Sequence, residues 1–226
     1  PAHESCAGDA AERLREDVAL VSCPVVLIDR LTQCGWCDAV GFDNYLGGRL
    51  AARYLLEGGH TRIGIVTGDT AESSAAERRR GFVDAVEQAG ECFDSSLCVE
   101  GDYRFGSGYH AADRIIDGGA TAVFCCNDVM ALGFRQRMAE RGLHVTEDMQ
   151  VIGYDNILKR FGLGWRMTTV EQSVTDLAAA CWGMLRKRID VAVRAKSGTE
   201  SGDARPWLSD PQVEVLTPKL VQAACA

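Results

Sequence analysis

Short apolar runs alternate along the chain with longer segments whose apolar residues recur at helical spacing. Val25–Ile28, Ile63–Val66 and Ala122–Cys126 have the length of buried strands, and each run leads into polar residues. The following segments place apolar residues about four positions apart, as with Met130 and Phe134, and most end at glycine. Strands that alternate with helices predict parallel sheets covered by helices on both faces, which is an α/β fold.

The last third of the chain departs from this alternation. Residues 171–195 predict one long helix, with Leu177 and Cys181 on the same face. The polar stretch Lys196–Arg205 contains glycine and serine and predicts a loop. Val213–Leu216 then alternates apolar and polar residues, as a half-exposed strand does.

Composition narrows the function classes. The net charge is −8, and the short basic runs have acidic neighbours, so we do not expect this chain to bind DNA by itself. No apolar run approaches the roughly 18 residues of a membrane span, and no secretory signal opens the sequence, so we expect a cytoplasmic protein. The 10 cysteines lie mostly in apolar surroundings, which indicates reduced thiols.

Polar residues follow the predicted strands at their carboxyl ends, where parallel α/β sheets bind ligands. These residues include Asp43, Tyr103, Asn127 and Asp155. The stretch from Ser74 to Glu77 reads as a capping box, which predicts a helix beginning near Ser74 with Arg78 in its first turn. Carboxylates, an amide, an arginine and an aromatic ring suit a neutral polyol ring, so this edge is the candidate ligand site.

Each of these residues also has a structural interpretation that the sequence leaves open. Asn127 is a preferred residue type for a helix N-cap, and Asp155 with Asn156 could form a turn. Tyr103 could lie at the edge of the core. Arg78 could form a structural ion pair. Their convergence on one edge of the sheet is what favours a shared ligand-binding role.

A series of short phrases, in a fixed order over most of the chain, resembles the effector-binding core of the LacI/GalR transcription repressors. The phrases are Pro24–Arg30, Asp43-Asn44, Gly59–Gly64, Glu77–Phe82, Gly101–Tyr103, Thr121–Cys125, Asn127–Gly133, Ile152–Asn156 and Thr168–Gln172. Each phrase alone is weak, but the ordered set is specific.

The resemblance implies a two-lobed periplasmic-binding-protein-like fold of type I, with parallel sheets flanked by helices. We expect residues 1–59 and 171–200 in an amino-terminal lobe, and residues 60–170 and 206–226 in a carboxy-terminal lobe. The chain would cross between lobes near Gly59-His60, near Val170-Glu171 and within the loop at 196–205. The family's helix-turn-helix headpiece and first strands have no counterpart in this sequence, so we expect an incomplete amino-terminal lobe.

By the same resemblance, the chain is the effector-sensing core of a repressor, in which ligand-driven lobe closure controls DNA binding by a headpiece outside the chain. The expected effector contacts are Asp43, Ser74, Arg78, Tyr103, Asn127, Asp155 and Gln172. The implied partners are a sugar or nucleoside-like effector, a second copy in a homodimer, and operator DNA through the headpiece. We expect no enzymatic activity, no cofactor, no metal and no membrane contact.

Two alternatives remain. A solute-binding protein of a sugar transporter shares the fold and would carry a secretory signal upstream. An enzyme is suggested only by the redox spacing of Cys34 and Cys37, but that pair falls in a predicted loop rather than at a helix start after a strand. The sequence contains no phosphate-binding loop or nucleophile-elbow motif, and no second close cysteine pair suggests a zinc site.

Overall fold

The chain divides into two compact units in a computed structural model that describes residues 12–29, 31, 35–158, 167–197 and 209–223. The first unit comprises Pro1–Phe42 and Ser173–Leu216, and the second comprises Asp43–Gln172 and Thr217–Ala226. The chain therefore passes between units after residues 42, 172 and 216.

The first unit is built on a small parallel sheet. A helix at residues 12–20 (α1) precedes the strands β1 (Val26–Ile28) and β2 (Asp38–Phe42), and the remaining elements are helix α6 (Val174–Ser197) and strand β8 (Val213–Leu216). The three strands lie in the order β1-β2-β8, and both neighbouring pairs are parallel. Val18, Leu27, Cys37 and Ala39 form the buried cluster of this unit.

An ion pair between a buried carboxylate and a partly buried arginine ties the sheet of the first unit to its long helix. Arg188 of α6 donates from Nε and Nη2 to the two carboxylate oxygens of Asp38 on β2, over 2.6 and 2.7 Å. The same guanidinium donates to the carbonyl oxygens of Ser209 and Asp210, over 2.8 and 2.7 Å. Asp38 also accepts from the N–H of Gln212, so strand, helix and the approach to β8 meet at one carboxylate.

The second unit contains a larger sheet with two pairs of helices. Its strands are β3 (Ile63–Thr67), β4 (Cys98–Glu100), β5 (Ala122–Cys125), β6 (Gln150–Asp155), β7 (Thr169–Glu171) and β9 (Lys219–Val221). Their order is β4-β3-β5-β6-β7-β9, with every pairing parallel except the antiparallel pairing of β9 with β7. The helices are α2 (Asn44–Glu57), α3 (Ser73–Gln88), α4 (Phe105–Asp117) and α5 (Asp128–Glu140).

The helices of the second unit pack in pairs, α2 with α3 and α4 with α5. Glycine allows the close approach within each pair: a Cβ on Gly48 would collide with the backbone carbonyl of Arg78, and one on Gly133 with that of Phe105. Phe82 of α3 stacks on Phe124 of β5 with ring centroids 5.5 Å apart, at the centre of the buried cluster. The predicted α/β arrangement of parallel strands and helices is confirmed.

Two of the three boundaries between the units, the first and the last along the chain, differ from the predicted ones. Helix α2, expected in the first lobe, packs against α3, so the crossing expected near residues 59–60 lies between Phe42 and Asp43. Strand β8, expected in the second lobe, pairs with β2 and belongs to the first unit. Residues 198–205 of the expected loop lie outside the described residues, and α6 extends to Ser197.

Two further expectations concern the cysteine pair and membranes. Cys34 lies outside the described residues, whereas Cys37 is buried, and its thiol donates to the carbonyl oxygen of Val25 over 3.6 Å. Among the helices of the described ranges, none is long and apolar enough to cross a bilayer.

Candidate functional site

The candidate site lies at the carboxyl edge of the parallel strands in the second unit. Tyr103 follows β4, Asn127 follows β5, Asp155 ends β6 and Gln172 follows β7. Arg78 lies on α3, the helix that follows β3. All five belong to the second unit, so one sheet positions them.

Arg78 is the buried centre of this edge. Its Nε donates to Asn44 Oδ1 over 2.8 Å, and its Nη1 donates to the Cys126 carbonyl oxygen over 2.7 Å. The guanidinium carbon lies 3.8 Å from the centroid of the Tyr154 ring, within the range of a cation–π contact. Nη2 lies 3.9 Å from Asp155 Oδ1. Burial is the largest single effect and opposes the charge of Arg78, but Tyr154, Asp155, Cys126 and Tyr103 together raise the pKa of the guanidinium.

A polar network joins Arg78 to Gln172. Asn44 Oδ1, which accepts from Arg78, also accepts from Gln172 Nε2 over 3.2 Å and from the Tyr154 hydroxyl over 3.4 Å. Gln172 Nε2 lies 3.3 Å from that same hydroxyl. Tyr154 is fully buried, and a Cβ on Gly47 would collide with its hydroxyl. Burial raises the pKa of Tyr154 against the effect of Arg78, so the phenol stays neutral near pH 7.

Tyr103 and Asn127 are held together by a side-chain-to-backbone hydrogen bond. Asn127 Nδ2 donates to the Tyr103 carbonyl oxygen over 2.8 Å, while its Oδ1 caps α5 by accepting from Met130 N–H over 2.8 Å. Tyr103 has a φ of 64°, and its ring lies where a Cβ on Gly68 would be. Burial raises the pKa of Tyr103, with Arg78 and then Ser74 acting in the opposite direction. Tyr103 therefore lies near both residues.

Asp43 and Ser74 lie at helix starts. Asp43 caps α2, because its Oδ1 accepts from the N–H of Leu46 over 2.8 Å. Helix α3 begins at Ser73 with Glu72 as the N-cap, and no side chain caps it, so the predicted capping box of Ser74 and Glu77 does not form. Ser74 faces Tyr103 instead.

Asp155 occupies a strained backbone position at the end of β6. Its φ is 92°, and that of the next residue, Asn156, is 54°; both values lie in the left-handed region that side chains rarely adopt. Asn156 Nδ2 donates to Glu171 Oε1 over 2.9 Å. The Asp155 side chain keeps 27% of its surface exposed, whereas Arg78 beside it keeps 8%. Strain of this kind is concentrated at functional sites.

Asp128, the first residue of α5, is a buried carboxylate beside Asp155. It accepts hydrogen bonds from the Thr169 hydroxyl over 2.7 Å and from Ile157 N–H over 2.8 Å. Burial raises the pKa of the Asp128 carboxyl to about 6, although these donors act in the opposite direction and Asp155 adds to the rise. Among the described residues, no three His, Cys, Asp or Glu side chains are placed to hold a metal ion.

Comparison with known proteins assigns the family. A family model described as a periplasmic binding protein-like domain matches residues 52–204. The HTH-type transcriptional repressor PurR of Pasteurella multocida is 37% identical over 171 residues, which cover 75% of this chain and 51% of that protein. The chain belongs to the periplasmic-binding-protein-like family, as an effector-binding domain of the LacI/GalR type.

Two solved structures extend the match of this LacI/GalR-type domain. A LacI-family transcriptional regulator from Enterococcus faecium with bound ribose gives a TM-score of 0.75 at 26% identity and covers 88% of this chain and 69% of that one. The complex of transcriptional regulator CelR with cellobiose gives a TM-score of 0.72 at 27% identity, covering 98% of this chain and 69% of that one. The chain spans about half the length of the curated relatives it matches.

The predicted residues of the LacI/GalR-type domain fall into connected groups. Arg78 Nη2 lies 3.9 Å from Asp155, and Asn44 links Arg78 to Gln172. Tyr103 accepts from Asn127 through its carbonyl oxygen and lies near Arg78 and Ser74. The Asp43 side chain is held by its capping bond to Leu46 N–H on α2. Ligand contact by these residues stays a prediction.

The expected set of effector contacts omitted three residues of this edge: Asn44, Tyr154 and Asp128. All three adjoin predicted residues in sequence, so the strand-end rule placed them in the right region. In the pair Asp43-Asn44, the first residue caps α2 and the second contacts Arg78. N-cap preference does not separate these roles, because Asp and Asn are equally good caps.

Proposed function

We propose that this domain senses a small hydroxyl-bearing molecule, a sugar or a nucleoside-like compound, as the effector-binding core of a transcriptional repressor. The curated relative is named a repressor, and the two solved neighbours are transcriptional regulators bound to ribose and to cellobiose. These names support a ligand of the same class for this chain. They also favour regulation over the solute-transport alternative, and transcriptional regulators are not enzymes.

The separation of Arg78 and Asp155 is the observation that carries the proposal. Their closest nitrogen and oxygen atoms are 3.9 Å apart, which exceeds the roughly 2.7–3.2 Å of a hydrogen bond. A ligand hydroxyl can donate to the carboxylate while it accepts from the guanidinium. Because both partners are charged, such bonds are about twice as strong as neutral ones.

The other proposed contacts surround this pair. Tyr103 offers an aromatic face, and Gln172 and Ser74 offer neutral polar groups. Asp43 and Asn127 each use one oxygen as a helix cap, and the second carboxylate oxygen and the remaining amide proton retain capacity for a ligand. The set contains both donors and acceptors, as a polyol requires.

The regulatory part of the proposal concerns the longer protein. A ligand that binds one conformation of the domain better than another shifts the population toward the first. We propose that this shift changes operator binding by a headpiece outside this chain, in a cytoplasmic homodimer. The coding sequence immediately upstream of Pro1 tests this part: a helix-turn-helix supports it, and a secretory signal contradicts it.

Titration calorimetry on the chain tests the ligand part, with ribose, cellobiose and adenosine as probes. We expect at least one probe to bind, and Arg78→Ala to weaken that binding by about tenfold or more, because a charged hydrogen bond is lost. Arg62→Ala is the matched control, since Arg62 precedes β3 at the opposite edge and is half exposed. Equal affinities of the two variants would refute the site.

A further inference from the structure

The Asp128 carboxylate connects three elements beside the candidate site. It is 1% exposed at the start of α5. Its Oδ1 accepts from the Thr169 hydroxyl on β7, and its Oδ2 accepts from the N–H of Ile157, two residues beyond the end of β6. It also interacts with the N–H of Leu158. One side chain thus fixes the start of α5, strand β7 and the segment after β6 relative to one another.

The segment that Asp128 holds is the strained one. Asp155 and Asn156 both adopt positive φ, and Ile157 follows them directly. Residues in this region persist only where the surroundings hold them. The Asn156 side chain is bound by Glu171, and the next backbone N–H is bound by Asp128. The strained pair is therefore anchored at its carboxyl side.

The sequence of β6 accommodates this carboxylate. A Cβ on Gly153 would collide with Asp128 Oδ1, so any larger residue would displace the side chain. Gly153 is the strand residue opposite Thr169, which donates to the same oxygen. A glycine inside a strand often marks the close approach of another group, and here that group is the Asp128 carboxylate.

We propose that Asp128 is a positioning residue, which holds the segment after β6 through Ile157 and Thr169 and so fixes the backbone that presents Asp155. The consequence for ligand affinity rests on the proposed function. The positioning role of Asp128 is independent of the proposed function, because it concerns contacts within the protein.

Hydrogen exchange of the Ile157 amide tests the positioning without any ligand. Asp128→Asn replaces one of the two accepting oxygens with an N–H₂ group, so the side chain can no longer accept from both the Thr169 hydroxyl and the Ile157 N–H. We therefore expect the Ile157 amide to exchange about tenfold faster or more. Asp113→Asn is the control, because Asp113 is a half-exposed carboxylate on α4 paired with Arg137. Unchanged protection of Ile157 in Asp128→Asn would overturn the proposal.

A second pair of variants keeps the carboxylate and changes only its partner. Thr169→Val removes the hydroxyl at nearly constant volume, and Thr169→Ser retains it. We expect Thr169→Val to speed Ile157 exchange and to weaken binding of ribose, cellobiose or adenosine by roughly tenfold, while Thr169→Ser stays within about twofold. A loss shared by the valine and serine variants would overturn the role of the hydroxyl.

The outcomes separate the two proposals. Faster Ile157 exchange with unchanged affinity for a probe that binds would overturn the link between Asp128 and ligand binding. If none of the three probes binds the unmodified chain, the proposed function fails on that panel, and the exchange measurement still decides the positioning role.

Discussion

The two units each contain an arginine that faces a carboxylate, and the two pairs are built differently. Arg188 meets both oxygens of Asp38 over 2.6 and 2.7 Å and also binds two carbonyl oxygens. Arg78 is held by an amide oxygen, a carbonyl oxygen and an aromatic ring, while its carboxylate partner Asp155 lies 3.9 Å away. We call the Arg188–Asp38 pair closed, because its two charged groups are joined by hydrogen bonds. We call the Arg78–Asp155 pair open, because its closest nitrogen and oxygen atoms are 3.9 Å apart.

We propose that the difference separates a structural arginine from one that binds a ligand. A closed bidentate pair leaves little for a ligand to gain, since its charges already satisfy each other. In an open pair the two charged groups lie close to each other but do not hydrogen-bond to each other. The carboxylates follow the same division, because the Asp38 side chain is 3% exposed and the Asp155 side chain is 27% exposed.

The largest expected effect comes from breaking the closed pair. Arg188→Ala leaves the Asp38 carboxylate buried without its counter-charge, so we expect the free energy of unfolding to fall by about 3–5 kcal/mol. Urea denaturation measures this loss. Arg186→Ala, on an exposed position of the same helix, should stay within about 0.5 kcal/mol. Similar losses in both variants would contradict the comparison.

Asp128 sharpens the comparison, because no arginine pairs with it among the described contacts. Its pKa of about 6 lies above the usual aspartate value, so the folded state binds the proton more tightly than the unfolded state. Ionisation between pH 4 and pH 7 should therefore lower the free energy of unfolding by about 2–3 kcal/mol, a cost that Asp128→Asn avoids.

Urea denaturation of both proteins at pH 4 and pH 7 checks the pH dependence of Asp128. Between pH 4 and pH 7, we expect the free energy of unfolding of Asp128→Asn to rise by about 2–3 kcal/mol relative to that of the unmodified chain. A constant difference between the two proteins would mean that Asp128 does not titrate in this range.

Neutralising Asp155 of the open pair should change the affinity for a probe more than it changes the free energy of unfolding. We expect Asp155→Asn to weaken probe binding by about tenfold, because a charged acceptor is lost. The free energy of unfolding should change by less than about 0.5 kcal/mol, since asparagine tolerates a positive φ and the carboxylate is partly exposed. Calorimetry and urea denaturation on the same sample measure both. A large stability loss with unchanged affinity would make the open pair structural.

The smallest expected effect concerns Asp43. We expect Asp43→Ala to lower the free energy of unfolding by about 1 kcal/mol through loss of the α2 cap, and Asp43→Ser to retain most of it. Thermal unfolding of the two variants measures the difference. Equal stability of the two variants would contradict the capping role.

The fold was largely predictable because strands and helices leave distinct periodic patterns. Strands were predicted at Val25–Ile28, Ile63–Val66, Ala122–Cys126 and Val213–Leu216. The structure has them at Val26–Ile28, Ile63–Thr67, Ala122–Cys125 and Val213–Leu216, within one residue at each end. Unit membership was not predictable in this way. Helix α2 and strand β8 carry ordinary amphipathic patterns, and which sheet they join depends on tertiary contacts that periodicity does not encode.

The site was predictable to the level of its region. Strand ends converge in a parallel sheet, which placed Arg78, Tyr103, Asn127 and Asp155 at one edge. Which atoms touch was not predictable, because Asn44 and Tyr154 contact Arg78 across about 34 and 76 positions of sequence. The capping box near Ser74 failed for a related reason: the helix begins one residue earlier, and Ser74 faces Tyr103.

A double-mutant cycle on Arg78 and Asp155, read by titration calorimetry with the best-binding probe, tests the central claim most directly. If one ligand hydroxyl bridges the two side chains, Arg78→Met and Asp155→Asn should each weaken binding by about tenfold, and the double variant should lose little more than either alone. Losses that add fully, or an affinity untouched by both changes, would contradict a shared ligand contact at this edge of the sheet.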